Sequence, residues 1–196
     1  MTIETSESSA DPAKIHGPAG QFRFCPRCGH EGLHIRNSRS LRCPQCDFLY
    51  FFNSAAAAGA FVFHRGRLVM CVRANEPAKG MLDLAGGFIE FDESVETGLK
   101  REIYEELALE AENFRYLMSA PNDYTYAGVP YKTTDLFYVC EVPDLAGIKP
   151  ADDVAEYLLV APQSLDPARL AFSSTRAAFA VLLGRLDAIE AYAAPR

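Results

Sequence analysis

Positive charge is in short supply in this chain: 19 lysines and arginines face 26 aspartates and glutamates over 196 residues, a formal charge of −7. A protein whose main task is to grip duplex DNA non-specifically carries a basic excess, so that class is excluded. Long apolar runs are missing too. The longest, Ala55 to Phe63, is less than half of the roughly 20 residues a helix needs to cross a bilayer. The segment from Met1 to Ala13 has neither the basic start nor the apolar stretch of a secretory leader. The expectation is a cytoplasmic chain with no membrane partner. With 49% apolar and 23% charged residues, it has the make-up of an ordinary globular protein and needs no disulfide scaffold to fold.

Residues 1–20 carry Ser, Thr, Glu, Ala and Pro without periodicity and read as a disordered tail. Residues 21–50 hold four of the six cysteines, and residues 55–192 hold a strand-rich second domain. Within it, Ala57–His64 and Leu68–Arg73 read as a hairpin around Arg65-Gly66. A short strand and a Gly-rich acidic loop follow over residues 81–93, then a helix over Ser94–Ala108. Phe114–Ser119, Asp123–Ala127 and Lys132–Val142 read as strands, the last two turning at Gly128-Val129-Pro130, and Glu156–Val160 as a further one. Ser173 or Ser174 is expected to cap a closing helix that runs to about Ala191. Strands mixed with two main helices predict an α+β or a layered α/β/α fold.

Cys25 and Cys28, then Cys43 and Cys46, form two CxxC pairs separated by 14 residues. In a reducing compartment such pairs are metal sites more often than disulfides. Four thiolates complete a tetrahedron for Zn²⁺ with no open position, so the ion is expected to be structural. About 30 residues hold too little core to fold unaided, and metal binding supplies the stability. A redox dithiol pair and an Fe–S site are the alternatives. His30 and His34 are spectators on the first reading. Cys71 and Cys140 sit in apolar runs and read as small buried residues.

The helix carries an apolar stripe, Val95, Leu99, Ile103 and Leu107. At about 100° per residue, Glu105 and Glu106 fall near −60° and 40° from Glu102, so three carboxylates share one arc beside that stripe. Like charges three and four residues apart repel by a few tenths of a kcal/mol per exposed pair. A solvated face tolerates this, and a hard divalent cation turns it into a gain. Oxygen-only ligands suit Mg²⁺ or Mn²⁺. Arg101, one turn before Glu105, can steady the group.

Gly87, Glu93, Arg101, Glu102, Ile103, Glu105, Glu106 and Leu109 follow the spacing G-x5-E-x7-R-E-U-x-E-E-x-G-U, where U is a large apolar residue. This closely resembles the Nudix box. Ala108 stands where the family has Gly, and Leu84-Ala85-Gly86-Gly87 where many relatives read L-P-G-G. The resemblance implies an α/β/α sandwich with a mixed sheet and hydrolysis of the diphosphate linkage in a nucleoside diphosphate joined to a group X. It implies that Glu102, Glu105 and Glu106 bind Mg²⁺ or Mn²⁺, with the Gly86 carbonyl as a further ligand. Arg101 would pair with Glu93 and orient the glutamates, and Glu90 would assist a second metal. The general base stays open among Glu102, Glu106, Asp152, Asp153 and Glu156. The cysteine module, residues 21–50, resembles the zinc ribbon of the NADH pyrophosphatase group. That group carries S-Q-P-W-P-F-P-x-S after the box. This chain has no Trp and reads Ser119-Ala120-Pro121-Asn122-Asp123-Tyr124 there, so the resemblance implies no particular taste for NADH.

Arg73 and Lys79 read either as phosphate holders or as ordinary solvated cations. Asn122, Tyr124, Tyr126 and Tyr131 read as a base-stacking face or as a half-buried strand. The leading expectation is a hydrolase of ADP-ribose, dinucleotides or nucleotide sugars. NADH pyrophosphatase activity or NAD-cap removal from RNA is one alternative, with the Arg-rich ribbon as an RNA-binding module. A nucleotide-sensing, non-catalytic Nudix protein is the other. A homodimer is implied by resemblance alone.

Overall fold

The computed structural model describes residues 18–37 and 39–187. The segment 1–17 of the expected tail lies outside them. Residues 18–20 do not follow that expectation, because Pro18–Gln21 forms a short 3-10 turn with Ala19 fully buried. The chain divides into two units: residues up to Ser54 together with Asp123–Lys132, and Ala55–Asn122 together with the chain from Thr133.

The first unit contains a three-stranded antiparallel sheet of β1 (His34–Asn37), β2 (Ser40–Arg42) and β3 (Leu49–Phe51), with β2 central. Its apolar interior is small, with Leu41 and Cys43 fully buried.

The second unit is built around the apolar run, which forms β4 (Ala55–His64). It pairs in parallel with β9 (Val129–Glu141) and antiparallel with β5 (Arg67–Arg73). A strand covered on both faces reads as a continuous apolar run rather than an alternating one. Alternate residues of β4 serve two different cores. Phe61 and Phe63 join Leu68, Met70, Phe137 and Val139 under α2 (Ser173–Leu183), where Ala178, Phe179 and Leu182 complete the cluster. Ala58, Ala60 and Val62 join Val69, Cys71 and Cys140 under α1 (Val95–Leu107), which contributes Leu99, Ile103 and Leu107. One helix on each face of a mixed sheet is the expected α/β/α sandwich. The strand order is β10-β5-β4-β9-β8, with β10 (Val154–Val160) at one edge and β8 (Glu112–Tyr126) at the other. Two short strands join inside, β6 (Leu82–Asp83) on β5 and β7 (Ala85–Phe88) on β4. Cys71 and Cys140 are 2% and 1% exposed, small apolar residues as read, and burial pushes the Cys140 thiol up to about 12.

Three local expectations need correction. The segments 114–119 and 123–127 are one continuous strand, β8, running through Pro121. Proline removes a ladder donor, which an edge strand tolerates. The turn to β9 is Ala127-Gly128, not Gly128-Val129-Pro130. Both of its residues have positive φ, 49° and 79°, as a two-residue hairpin turn requires. Neither serine caps α2. Phe172 is the N-cap without a side-chain bond, because Ser174 Oγ donates to Asp135 Oδ2 at 2.6 Å instead. The helix ends at Leu183 with Gly184 as its C-cap, and Ala191 lies outside the described residues.

Candidate active site and metal-binding ribbon

The carboxylate site grows from the β7–α1 connection. Gly86 has φ 146°, and a Cβ there would stand 2.1 Å from the Ala58 carbonyl, so only glycine fits. At Gly87 a Cβ would lie 2.5 Å from Glu102 Oε1, so the missing side chain is what admits the helix carboxylate. Ser94 caps α1, its Oγ accepting from Thr97 N at 3.2 Å. At the other end Ala108 adopts the left-handed conformation, φ 54° and ψ 31°, and its N–H donates to the Tyr104 carbonyl. The family's glycine position therefore keeps the glycine backbone and carries the strain of a Cβ.

Arg101 organises the group. Its Nη2 donates to Glu93 Oε1 at 2.8 Å and to the Phe88 carbonyl at 3.3 Å. Its Nη1 donates to Glu102 Oε1 at 2.9 Å and Glu105 Oε2 at 3.1 Å. Glu93 Oε1 also accepts from the Glu90 N–H at 2.7 Å, which pins the loop. The hydrogen bond from Arg101 leads in holding the Glu93 carboxyl below its ordinary value. Glu106 takes a different support: its Oε2 accepts from Gly86 N at 2.9 Å, and the residue is 6% exposed. Burial pushes its carboxyl up to about 8 against that amide, and the nearby charges of Glu102, Asp83 and Asp153 add to the rise. Glu102 is raised as well, first by burial, with Arg101 opposing and Glu105 and Asp152 adding. Glu102 and Glu105 converge on Arg101 while Glu106 turns to the Gly86 amide; they do not close on one centre as the four cysteines do, and they are hard oxygen donors of the kind that suits a divalent cation.

Two candidates for the general base are drawn to the cluster by the backbone. The N–H of Lys149 donates to the Leu107 carbonyl, and that of Ala151 to the Glu106 carbonyl, both at 2.9 Å. The loop thus satisfies the last carbonyls of α1 and brings Asp152 and Asp153 along. Asp153 Oδ1 accepts from Asn75 Nδ2 at 2.7 Å. Glu156 lies on β10, exposed, opposite Val72.

Other expected site residues are placed differently. Arg73 is committed to the fold: Nη1 donates to Asp83 Oδ2 at 3.0 Å, Nε to the Pro77 carbonyl at 2.8 Å, and its plane lies over the Phe172 ring. Asp83, its partner, had no mark in the sequence. Lys79 is exposed. Asn122 is 9% exposed and buried in its strand, which removes it from an open base-binding face. Tyr124 and Tyr126 do share a strand face, with rings 10° apart in orientation and centroids 6.3 Å apart. Sequence reasoning passed over Gly98, where a Cβ would stand 2.8 Å from both Glu93 Oε1 and Ile89 Cδ1. The available signal was a glycine in mid-helix, which costs about 1 kcal/mol relative to Ala and so calls for a packing reason.

In the ribbon the two CxxC turns repeat the same bonds. Cys25 N donates to the His30 carbonyl at 2.8 Å and Gly29 N to the Cys25 carbonyl at 2.9 Å. Cys43 N donates to Phe48 at 2.9 Å and Asp47 N to Cys43 at 3.0 Å. Gly29 and Asp47 both have positive φ, 73° and 56°. The four sulfurs lie within 4.8 Å of one another, with Cys25–Cys46 and Cys28–Cys43 at 3.7 Å. That is far beyond a disulfide and close to the edge of about 3.8 Å of a tetrahedron with Zn–S bonds of about 2.3 Å. Four thiolates around one centre fit Zn²⁺.

An α/β/α sandwich that carries a glutamate-bearing helix on one face, accompanied by a four-thiolate ribbon, defines the class of fold. The chain belongs to the Nudix family: the NUDIX domain model matches residues 53–180, and the NADH pyrophosphatase zinc ribbon domain matches residues 21–51. It is similar to the NAD-capped RNA hydrolase NudC of Pseudomonas putida (strain GB-1), 32% identical over 120 residues, which are 58% of this chain and 43% of that protein. The NudC of Chromobacterium violaceum is 28% identical over 119 residues, 61% of this chain and 44% of that one. The chain thus spans less than half the length of these relatives. Among solved structures it resembles a NUDIX hydrolase from Nitrosomonas europaea, with TM-score 0.69 and 22% identity over 84% of this chain and 92% of that one. It also resembles the NUDIX domain of Shewanella oneidensis NrtR complexed with ADP ribose, with TM-score 0.54 and 20% identity over 69% and 90%. These likenesses establish the fold. Among the described residues no helix is long and apolar enough to cross a membrane.

Proposed function

We propose that this chain hydrolyses the diphosphate linkage of a nucleoside diphosphate joined to a second group, with Glu102, Glu105 and Glu106 holding Mg²⁺ or Mn²⁺ and the Gly86 carbonyl beside them. The observation that carries this reading is the bonding of Arg101 to Glu93, Glu102 and Glu105 at 2.8 to 3.1 Å, with Glu106 set on the Gly86 amide. A divalent cation bound there neutralises phosphoryl oxygens and makes water a better nucleophile. The chain's own residues do the rest. Arg101 and Glu93 keep the loop and helix in register, so the carboxylates need no reorganisation when substrate arrives. Asp152 and Asp153, whose loop is bonded to the last turn of α1, are our candidates for accepting the proton from water, with Glu102, Glu106 and Glu156 as the alternatives. Zn²⁺ on Cys25, Cys28, Cys43 and Cys46 holds the ribbon together and takes no part in the reaction.

The test is a panel of ADP-ribose, dinucleotides and nucleotide sugars with Mg²⁺ or Mn²⁺ and product identification. Cleavage between the phosphates is expected, and Glu105→Gln should lower the rate on the order of 10²–10³-fold, the scale of removing one charge-stabilising group, with the circular dichroism spectrum unchanged. No cleavage anywhere in the panel refutes the reading. A second reading takes the joined group to be an RNA. The names of the curated relatives favour it, as do the five arginines set against Glu31 and Asp47 between residues 21 and 50. Compartment and assembly are proposals of their own: a cytoplasmic chain that pairs as a homodimer.

A further inference from the structure

A row of rings on the ribbon has no part in the chemistry above. Phe48, Tyr50 and Phe52 alternate along β3 and its flanks, so their side chains share a face. Phe48 and Tyr50 stack with centroids 6.2 Å apart, Tyr50 meets Phe52 edge-on at 5.0 Å, and Phe52 meets Phe22 at 5.3 Å. The guanidinium of Arg27 lies over Phe48, 5.0 Å from its centroid, and closes the row with a cation. Tyr50 and Phe22 are 46% and 41% exposed, with Phe48 and Phe52 half-buried beside them. Rings set side by side with two of them open to solvent are a candidate binding surface. Charge says what binds there. Five arginines against Glu31 and Asp47 give residues 21–50 a formal +3 within a chain of −7, and the four zinc-bound thiolates leave the ribbon positive by one.

We propose that this row is a stacking platform for an unpaired polynucleotide strand, with Arg27 at its end meeting phosphate. Every base has a π-face, so a ladder of rings holds single strands with little regard to sequence, and arginine adds the salt-dependent part. A duplex hides its base faces and has nothing to offer the rings. A second copy of the chain would cover them too, but would bring one positive ribbon against another. The inference builds on the reading of the joined group as RNA, with the ribbon holding its polynucleotide part.

The test uses the full zinc-loaded chain and a fluorescein-labelled, uncapped oligoadenylate of roughly ten nucleotides, within the usual span of such sites. Without a diphosphate linkage to cleave, its anisotropy reads binding alone. The single strand should bind more tightly than the matching duplex and lose affinity as salt rises. Tyr50→Ala should weaken it about tenfold and Tyr50→Phe should restore it, as stacking predicts. Arg27→Ala should weaken it and flatten the salt dependence. Retained zinc, one ion per chain, shows that each variant keeps the ribbon; if Tyr50→Ala loses it, the Arg27→Ala and duplex comparisons decide. Equal affinity for duplex, or no response to Tyr50→Ala in a zinc-loaded protein, overturns the proposal. So does a dimer in sedimentation that Tyr50→Ala dissociates, which would assign the face to a second copy. The hydrolysis panel is a separate reading: its failure sinks the proposed reaction and leaves strand binding standing, and the reverse holds equally.

Discussion

Arg101 and Glu93 are eight residues apart in the chain and joined at 2.8 Å, the guanidinium reaching back from the second turn of α1 to the loop that precedes it. Both side chains are largely shielded from water, 25% and 11% exposed. Glu93 would otherwise have one backbone N–H for company, and Glu102 and Glu105 would repel each other with nothing between them.

Arg101→Lys should therefore loosen the loop. Lysine keeps the charge but not the fork that serves three carboxylates and a carbonyl. A loss of about 1–3 kcal/mol is expected, the scale of hydrogen bonds to charged groups, read as a lower urea midpoint. The rate on any diphosphate substrate should fall with it. An unchanged midpoint would show that the network is dispensable.

Ala108→Gly should stabilise the protein. The native φ of 54° penalises a Cβ, and removing it should gain about 1 kcal/mol even after the extra freedom of glycine in the unfolded chain is subtracted. Denaturant titration of the two proteins measures this directly, and a loss of stability would mean that the Ala108 methyl packs better than its backbone suggests.

The carboxylate cluster predicts a pH dependence with a definite sign. In the folded chain Glu106 keeps its proton up to about 8, well above the ordinary 4.5. Between those values the unfolded chain has released a proton that the folded one still holds, so stability falls as pH rises through that window. Glu102 and Asp83 are raised and act in the same direction. Glu93 is lowered, and its contribution is lost only as pH falls below the usual carboxylate range. Without added Mg²⁺ the melting temperature should decline from about pH 5 to pH 8. Glu106→Gln should flatten the decline. On the proposed reading a cation held by Glu106 displaces its proton, so the stabilising effect of added Mg²⁺ should grow with pH over the same range.

Zinc removal should act locally. A chelator strong enough to strip the four cysteines, or Cys43→Ser, is expected to abolish amide protection in β1–β3, since so small an interior cannot hold the ribbon without metal. The amides of α1, whose core is Leu99, Ile103 and Leu107 on the sheet, should keep theirs. Hydrogen exchange separates the two, and protection persisting across β1–β3 in the metal-free chain would refute a structural role.

What could be read ahead of the structure was whatever local spacing encodes. The four-residue stripe from Val95 to Leu107 marks the buried face of α1, and Leu99, Ile103 and Leu107 are fully buried. Of the arc of glutamates beside it, Arg101 gathers Glu102 and Glu105, and the Gly86 amide takes Glu106. The paired CxxC turns foretold four converging sulfurs. What escaped depended on distant partners. Pro121 looks like a strand breaker until its strand is seen at the sheet edge. Ser174 looks like a cap until Asp135, 39 residues away, claims its hydroxyl. Arg73 looks like a phosphate ligand until the half-buried Asp83 takes it, and no local pattern marks an aspartate in a two-residue strand.

The two faces of β4 differ in bulk: Phe61 and Phe63 prop up one helix, while Ala58 and Ala60, with Ala85 from β7, lie beneath the other. Thin padding on that second side lets α1 settle low enough for Glu102 to reach the backbone at Gly87. A leucine in place of Ala60 would act as a shim, lifting the helix and spoiling the proposed grip on a cation from a position in the apolar core.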